Sequence, residues 1–166
     1  MEGYPLDSLL SVRHFREEGA KREVRYAELA VREAEEEVLS RRHALEDFHT
    51  WRLEEEERRY DAIMNKPMGI QQIEAFSAGL ARLAAEESMK EEDIRKAELK
   101  AEDARKALET ARANARQAMK NTAKITAHKD IWSEEAKKDA EHRADLELEE
   151  FRPISRHGAE AEGEDA

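Results

Sequence analysis

Proline occurs at only three positions in this chain of 166 residues, Pro5, Pro67 and Pro153. Each removes a backbone donor and clashes with the preceding helical turn, so together they limit where a long helix can begin and end. Tyr4-Pro5-Leu6 suits a first helical turn, where the missing N–H costs nothing. Asn65-Lys66-Pro67-Met68-Gly69 concentrates the residues that end helices and form turns. The spacing predicts a first helix over about 5–64, a loop over about 65–70 and a second helix over about 71–152, where Pro153 restricts the residue before it. Gly19 and Gly79 fall inside these helices and weaken them by about 1 kcal/mol each relative to Ala. After His157 the chain holds only Gly, Ala and acidic residues, so 157–166 is expected to be a disordered acidic tail.

Both stretches repeat every seven residues. In the first, Val24, Val31, Val38 and Leu45 share one position, and Ala20, Ala27, Ala34 and Phe48 lie at a second, interrupted by Arg41. In the second, Ile94, Ala101, Leu108 and Ala115 share one position, while Ala97, Ala104, Ala111, Ala118, Ile125 and Trp132 share the other. These are a/d seams of the kind that join two helices. Alanine recurs in both, which lets the helix axes approach closely. A short break makes antiparallel neighbours the default. The expected fold is therefore all-α: a long antiparallel two-helix coiled-coil hairpin over residues 1–156, with a protruding C-terminal helix extension. Facing residues should have numbers totalling roughly 135–138, which sets Val31 against Ala104, Val38 against Ala97 and Ala101, and Leu6 to Leu10 against Ile125 to Trp132.

Composition agrees with a rod rather than a globule. Leu, Ile, Val and Phe number 28, about 17% of the chain and too few for a thick core, while Ala, Glu, Lys, Arg and Leu make up 100 residues, as in long helices. The net charge of −11 opposes binding through phosphate neutralisation, so nucleic acid and anionic membrane are disfavoured and protein partners with basic surfaces are expected. Apolar runs are too short to span a bilayer. The absence of cysteine excludes disulfides and thiolate sites and fits a reducing cytoplasm. No sequence motif for metal, nucleotide or nucleophile chemistry is present, and two helices offer no cavity to desolvate a carboxylate, so neither catalysis nor a cofactor is expected. His14 and His128 could approach at the open end, but coordination needs more ligands than these.

Three places carry apolar residues beyond the seam's needs. The base, where both ends of the hairpin meet, holds Tyr4, Leu6, Leu9, Leu10, Phe15, Ile131 and Trp132, which serve either local packing or a partner. The tip holds Ile63, Met64, Met68, Ile70, Ile73, Phe76 and Leu80; Phe76 and Leu80 are one turn apart, as in helices that dock into grooves. The first helix has Phe48, Trp51 and Tyr60 in a row, of which Trp51 is expected to cover the alanines at Ala84 and Ala85. Acid-to-base pairs at i, i+4, namely Glu28–Arg32, Glu37–Arg41, Glu54–Arg58, Glu91–Arg95 and Glu102–Lys106, read as a solvated face, as does the whole run Glu54 to Arg59.

The opening Tyr4-Pro5-Leu6-Asp7-Ser8-Leu9-Leu10-Ser11-Val12-Arg13 resembles the start of type III secretion stalk proteins of the SctO/YscO family, whose flagellar counterpart is FliJ. The segment from Phe48 through Trp51-Arg52 and the acidic run to Asp61 is similar to the aromatic-Trp-Arg and acidic stretch of YscO-type members. This resemblance implies a cytoplasmic, non-enzymatic component at the base of the secretion apparatus. The end with both termini would sit in the hexameric secretion ATPase, and the hairpin end would reach the export-gate protein. Carried over, Tyr4, Leu6, Leu10, Phe15, Ile125 and Trp132 would bind the ATPase, and Ile73, Phe76 and Leu80 the cytoplasmic domain of the gate. The family is also linked to the needle-length regulator and to secretion chaperones. On this reading the chain is a monomer; the rival readings are a self-associating structural scaffold and a chaperone-like binder of secretion substrates.

Overall fold

The computed structural model describes residues 3–151. Helix α1 spans Asp7–Ile63 and helix α2 spans Ile70–Glu150. The expected helix end at Arg152 and the acidic tail lie outside the described residues. Pro5 and Leu6 form a turn rather than helix: the Asp7 N–H donates to the Tyr4 carbonyl at 3.1 Å, so α1 starts two residues later than its proline suggests.

The break is a tight connection. Asn65 takes the left-handed conformation at φ 61°, which asparagine tolerates better than most side chains. Gln72 reaches back to accept the Gly69 N–H at 3.1 Å and satisfies one of the donors that a helix start leaves free. Helix α2 accordingly begins at Ile70, inside the segment expected to be loop.

The helices run antiparallel. Partners across the pair, from Tyr4 with His128 to Arg42 with Glu98, have numbers that total 132 to 140, bracketing the expected register. Val38 packs with Ala97 and Ala101 as the seam requires, with Ala34 beside them. Ala101 is only 1% exposed although just two helices meet there, because alanine on α2 lets the α1 backbone come close enough to close over it. The seam residues Ala20, Val24, Ala27, Val31, Leu45, Ile94, Ala104, Leu108, Ala111 and Ala118 are half-buried, and Ala115 is buried. Thr122 continues this stripe and is buried at 5%; its hydroxyl lies 3.1 Å from the Ala118 carbonyl and 3.3 Å from the Arg13 carbonyl of α1.

The ion pairs differ from the expected ladder. Glu37–Arg41 and Glu102–Lys106 form along their helices, at 2.7 and 3.2 Å. Arg58 instead pairs with Glu55 and Arg95 with Glu92, one residue nearer in sequence. Glu28 crosses to Arg112, at 3.5 Å, joining Glu35–Arg105 and Arg42–Glu98 in a set of bridges between the helices. A narrow alanine seam brings the flanking long side chains within reach of the opposite helix, and inter-helix partners compete with those one turn away.

Helix α2 outlasts its partner. Beyond Trp132 nothing among the described residues of α1 faces it, and from Lys137 to Glu150 every residue is exposed. This extension adds roughly 27 Å of single helix.

Candidate interaction surfaces at the two ends of the hairpin

At the base, the chain before α1 folds back onto α2. Tyr4 is 7% exposed, its Oη lies 2.7 Å from His128 Nδ1, and its ring sits 5.6 Å from that of Trp132 in a tilted contact. Lys129 stands over the same ring at 5.8 Å and pairs with Asp7 at 2.7 Å. Tyr4 and Leu10 are thus spent on closing the base, and Trp132 and Ile125 are half-buried beside them. Of the expected base residues, Leu6 remains on the surface at 38% exposure, joined by Ile131 at 60%. Phe15 does not join the group. It is 73% exposed and, five residues past Leu10, points away from the seam.

His128 is taken by Tyr4 rather than by His14. Among the described residues no group of three or more His, Asp or Glu side chains is arranged to hold a metal.

At the tip, Phe76 is not the free side chain that the sequence suggested. It packs edge-on against Tyr60 with centroids 5.1 Å apart, and both Phe76 and Leu80 are half-buried. Ile73 is 54% exposed. The most exposed apolar residues flank the break itself: Met64 at 66% and Ile70 at 77%, with Tyr60 at 50%. Their signal lay in the sequence, since residues bordering a turn have no opposite helix to cover them, but helical spacing favoured the Phe76–Leu80 pair.

Between tip and middle the seam of α1 turns charged, which overturns the reading of Glu54 to Arg59 as a wholly solvated face. Arg52, Glu55, Glu56 and Arg59 are half-buried towards α2. Arg52 bridges Glu56 on its own helix, at 2.8 Å, and Glu87 on the other. His49 Nδ1 lies 2.8 Å from the second oxygen of Glu87. The bonds from His49 and Arg52 hold the Glu87 carboxyl below its ordinary range, and Glu56 and Glu87 raise the Arg52 guanidinium further. Gly79 belongs to this arrangement: a Cβ there would lie 3.0 Å from Arg59 Nη1, so glycine leaves room for the guanidinium between the helices. Nearer the base, Lys21 and then Thr122 lower the Glu17 carboxyl in the same way.

With position 52 turned inward, Trp51 is rotated off the seam. It is 43% exposed and packs at a tilt against Phe48 of its own helix, with ring centroids 5.5 Å apart, while Ala84 and Ala85, which it was expected to cover, are exposed.

Residues 6–153 match the family model described as type III secretion protein YscO. Among solved structures, the crystal structure of type III secretion protein YscO from Vibrio parahaemolyticus is similar over 89% of this chain and 92% of its own, with 25% identity and a TM-score of 0.83. The protein CT670 from Chlamydia trachomatis, described as a YscO homolog, shares the fold over 91% of this chain and 93% of its own, with 22% identity and a TM-score of 0.72. No curated protein sequence matches.

Proposed function

We propose, on the premise that this chain belongs to the YscO family of type III secretion proteins, that it acts as the non-enzymatic central stalk linking a hexameric secretion ATPase to the export gate. The observation that carries this reading is that each end of the hairpin presents an exposed apolar group, far from the other. Leu6 and Ile131 stand at one end, and Met64, Ile70 and Ile73 at the other. Along α1 these ends are roughly 85 Å apart, the length of a helix of 57 residues. A stiff helical pair keeps both groups available at once and transmits position or torque between them.

The base would meet the ATPase through Leu6, Ile131 and the half-buried edges of Ile125 and Trp132, with Tyr4 and Leu10 holding that surface in shape. The tip would meet the cytoplasmic domain of the gate through Met64, Ile70 and Ile73, with Phe76 and Leu80 supporting them. Such an assembly places the chain on the cytoplasmic side, at the base of the secretion apparatus.

The test is separate titration of each partner. Leu6→Ser with Ile131→Ser should weaken ATPase binding and leave gate binding intact, and Ile70→Ser with Ile73→Ser should do the reverse. Equal loss at both partners, or at neither, rejects a two-ended stalk. Sedimentation should show an elongated monomer; a stable parallel dimer would favour the scaffold.

A further inference from the structure

Opposite the seam, α1 carries a second apolar stripe that the hairpin does not use. Val12, Phe15, Tyr26 and Leu29 are spaced so that all four fall on the helix face turned away from Leu10, Val24 and Val31. They are exposed at 45%, 73%, 64% and 48%, over roughly 26 Å of helix. Arg22 lies within the stripe, Arg16 on one flank, and Arg25 and Arg32 on the other.

These arginines are uncommitted to carboxylates within the described hairpin, as are Arg13, Arg82, Arg116 and Arg143 elsewhere in it. Arg41, Arg42, Arg52, Arg58, Arg59, Arg95, Arg105 and Arg112 all bind carboxylates, whereas Arg16, Arg22, Arg25 and Arg32 make no ion pair among the described residues. From Arg13 to Arg32 six basic residues outnumber the four glutamates Glu17, Glu18, Glu23 and Glu28, in a chain whose net charge is −11. The local sign is the reverse of the whole.

Gly19 stands in the same stripe, between Phe15 and Tyr26. A Cβ there would meet only the end of the Arg22 side chain, at 3.8 Å, so the hairpin itself has room for alanine. Glycine inside a helix lowers its stability, and neither a turn nor the seam calls for it here. What it provides is a shallow notch where another backbone can approach closely.

From these three features we infer that the outer face of α1 from Val12 to Leu29 docks an acidic amphipathic helix of a partner protein. Its apolar residues sit on Phe15 and Tyr26, its backbone crosses at Gly19, and its carboxylates meet Arg16, Arg22, Arg25 and Arg32. This surface lies between the ends and is independent of the ATPase and gate contacts, so a third partner can bind while both ends are engaged.

The experiment uses the full chain and a fluorescently labelled synthetic helical peptide of about 20 residues, long enough to follow the stripe. It carries leucines along one face and glutamates beside them; a control peptide has lysine for every glutamate. The acidic peptide should bind, more weakly as salt rises, and the lysine peptide should not. Phe15→Ala with Tyr26→Ala should weaken binding about tenfold or more. Arg22→Glu with Arg25→Glu should weaken it and flatten the salt dependence. Gly19→Ala supplies the discriminating readout: the melting temperature should rise while affinity falls, whereas a purely structural glycine would leave affinity unchanged. Failure of the acidic peptide to bind, equal binding of both peptides, or full affinity in Gly19→Ala overturns the proposal. So does Phe15-dependent binding to phosphatidylserine vesicles in place of the peptide, which would make the face a lipid contact, or Phe15-dependent self-association, which would make it a contact between copies.

Discussion

Tyr4 Oη and His128 Nδ1 lie 2.7 Å apart across 124 residues of sequence, and this bond ties the entry of α1 to the face of α2 that its partner leaves last. The ring beneath the hydroxyl also covers Trp132 and carries the Lys129 ammonium, so one side chain gathers three residues of α2.

Tyr4→Phe should keep the ring contacts and lose the hydrogen bond, at a cost of about 0.5–1.5 kcal/mol. Tyr4→Ala should cost more, since a ring buried to 7% exposure is removed as well. Hydrogen exchange should place the loss at Leu10 and around His128 rather than along the rod. Equal effects of the two substitutions would show that the ring contributes little.

Replacing Ala101 with Leu should overpack the closest point of the seam and destabilise the hairpin by about 1–3 kcal/mol. Thermal melting checks this, and an unchanged midpoint would contradict the 1% exposure of that residue. Cysteines at Val38 and Ala101 should crosslink within one chain at low protein concentration, because these residues belong to one buried cluster.

Acid should loosen the charged part of the seam first. Glu87 has its folded pKa lowered from the ordinary 4.5 by the bonds from His49 and then Arg52. Its contribution is therefore fully present above that value and is lost as pH falls through the lower folded value. Hydrogen-exchange protection, corrected for the intrinsic rate at each pH, should fall around residues 49–60 and 80–90 below about pH 4.5, ahead of the alanine-rich middle. Glu87→Gln should be less stable than the wild type at neutral pH and less sensitive to acid. A variant with the same acid profile as the wild type would remove Glu87 from this role.

At the tip, Phe76→Ala should lower stability, because it removes an edge-on aromatic contact with Tyr60 worth about 0.5–1.5 kcal/mol beyond the area it covers. Ile70→Ser with Ile73→Ser should leave helicity and melting nearly unchanged, since both side chains already stand in water. Circular dichroism of the two variants distinguishes a packing residue from surface residues. Gate binding lost in Phe76→Ala with stability intact would restore Phe76 to the surface.

The architecture was legible in the chain because its causes are local or periodic. Pro5 and the turn cluster around Pro67 bound α1 and the start of α2, and alanine every seven residues on both helices could be buried only by each other, which determined the antiparallel register and brought Val38 to Ala97 and Ala101. The side-chain assignments at the ends depended on rotation and reach, which spacing alone does not specify. Phe76 turned to Tyr60 and Tyr4 took His128 from His14, because each helix has one face at the seam and a shift of one residue turns a side chain by about 100°. The outward face of Phe15, five residues past Leu10, was by contrast readable from the spacing. The charged seam was hidden for a further reason. Arg52, Glu55, Glu56 and Arg59 look solvated by composition, and only the opposite helix, with Glu87 within reach and Gly79 making room, decides that these charges can be partly withdrawn from water and paired.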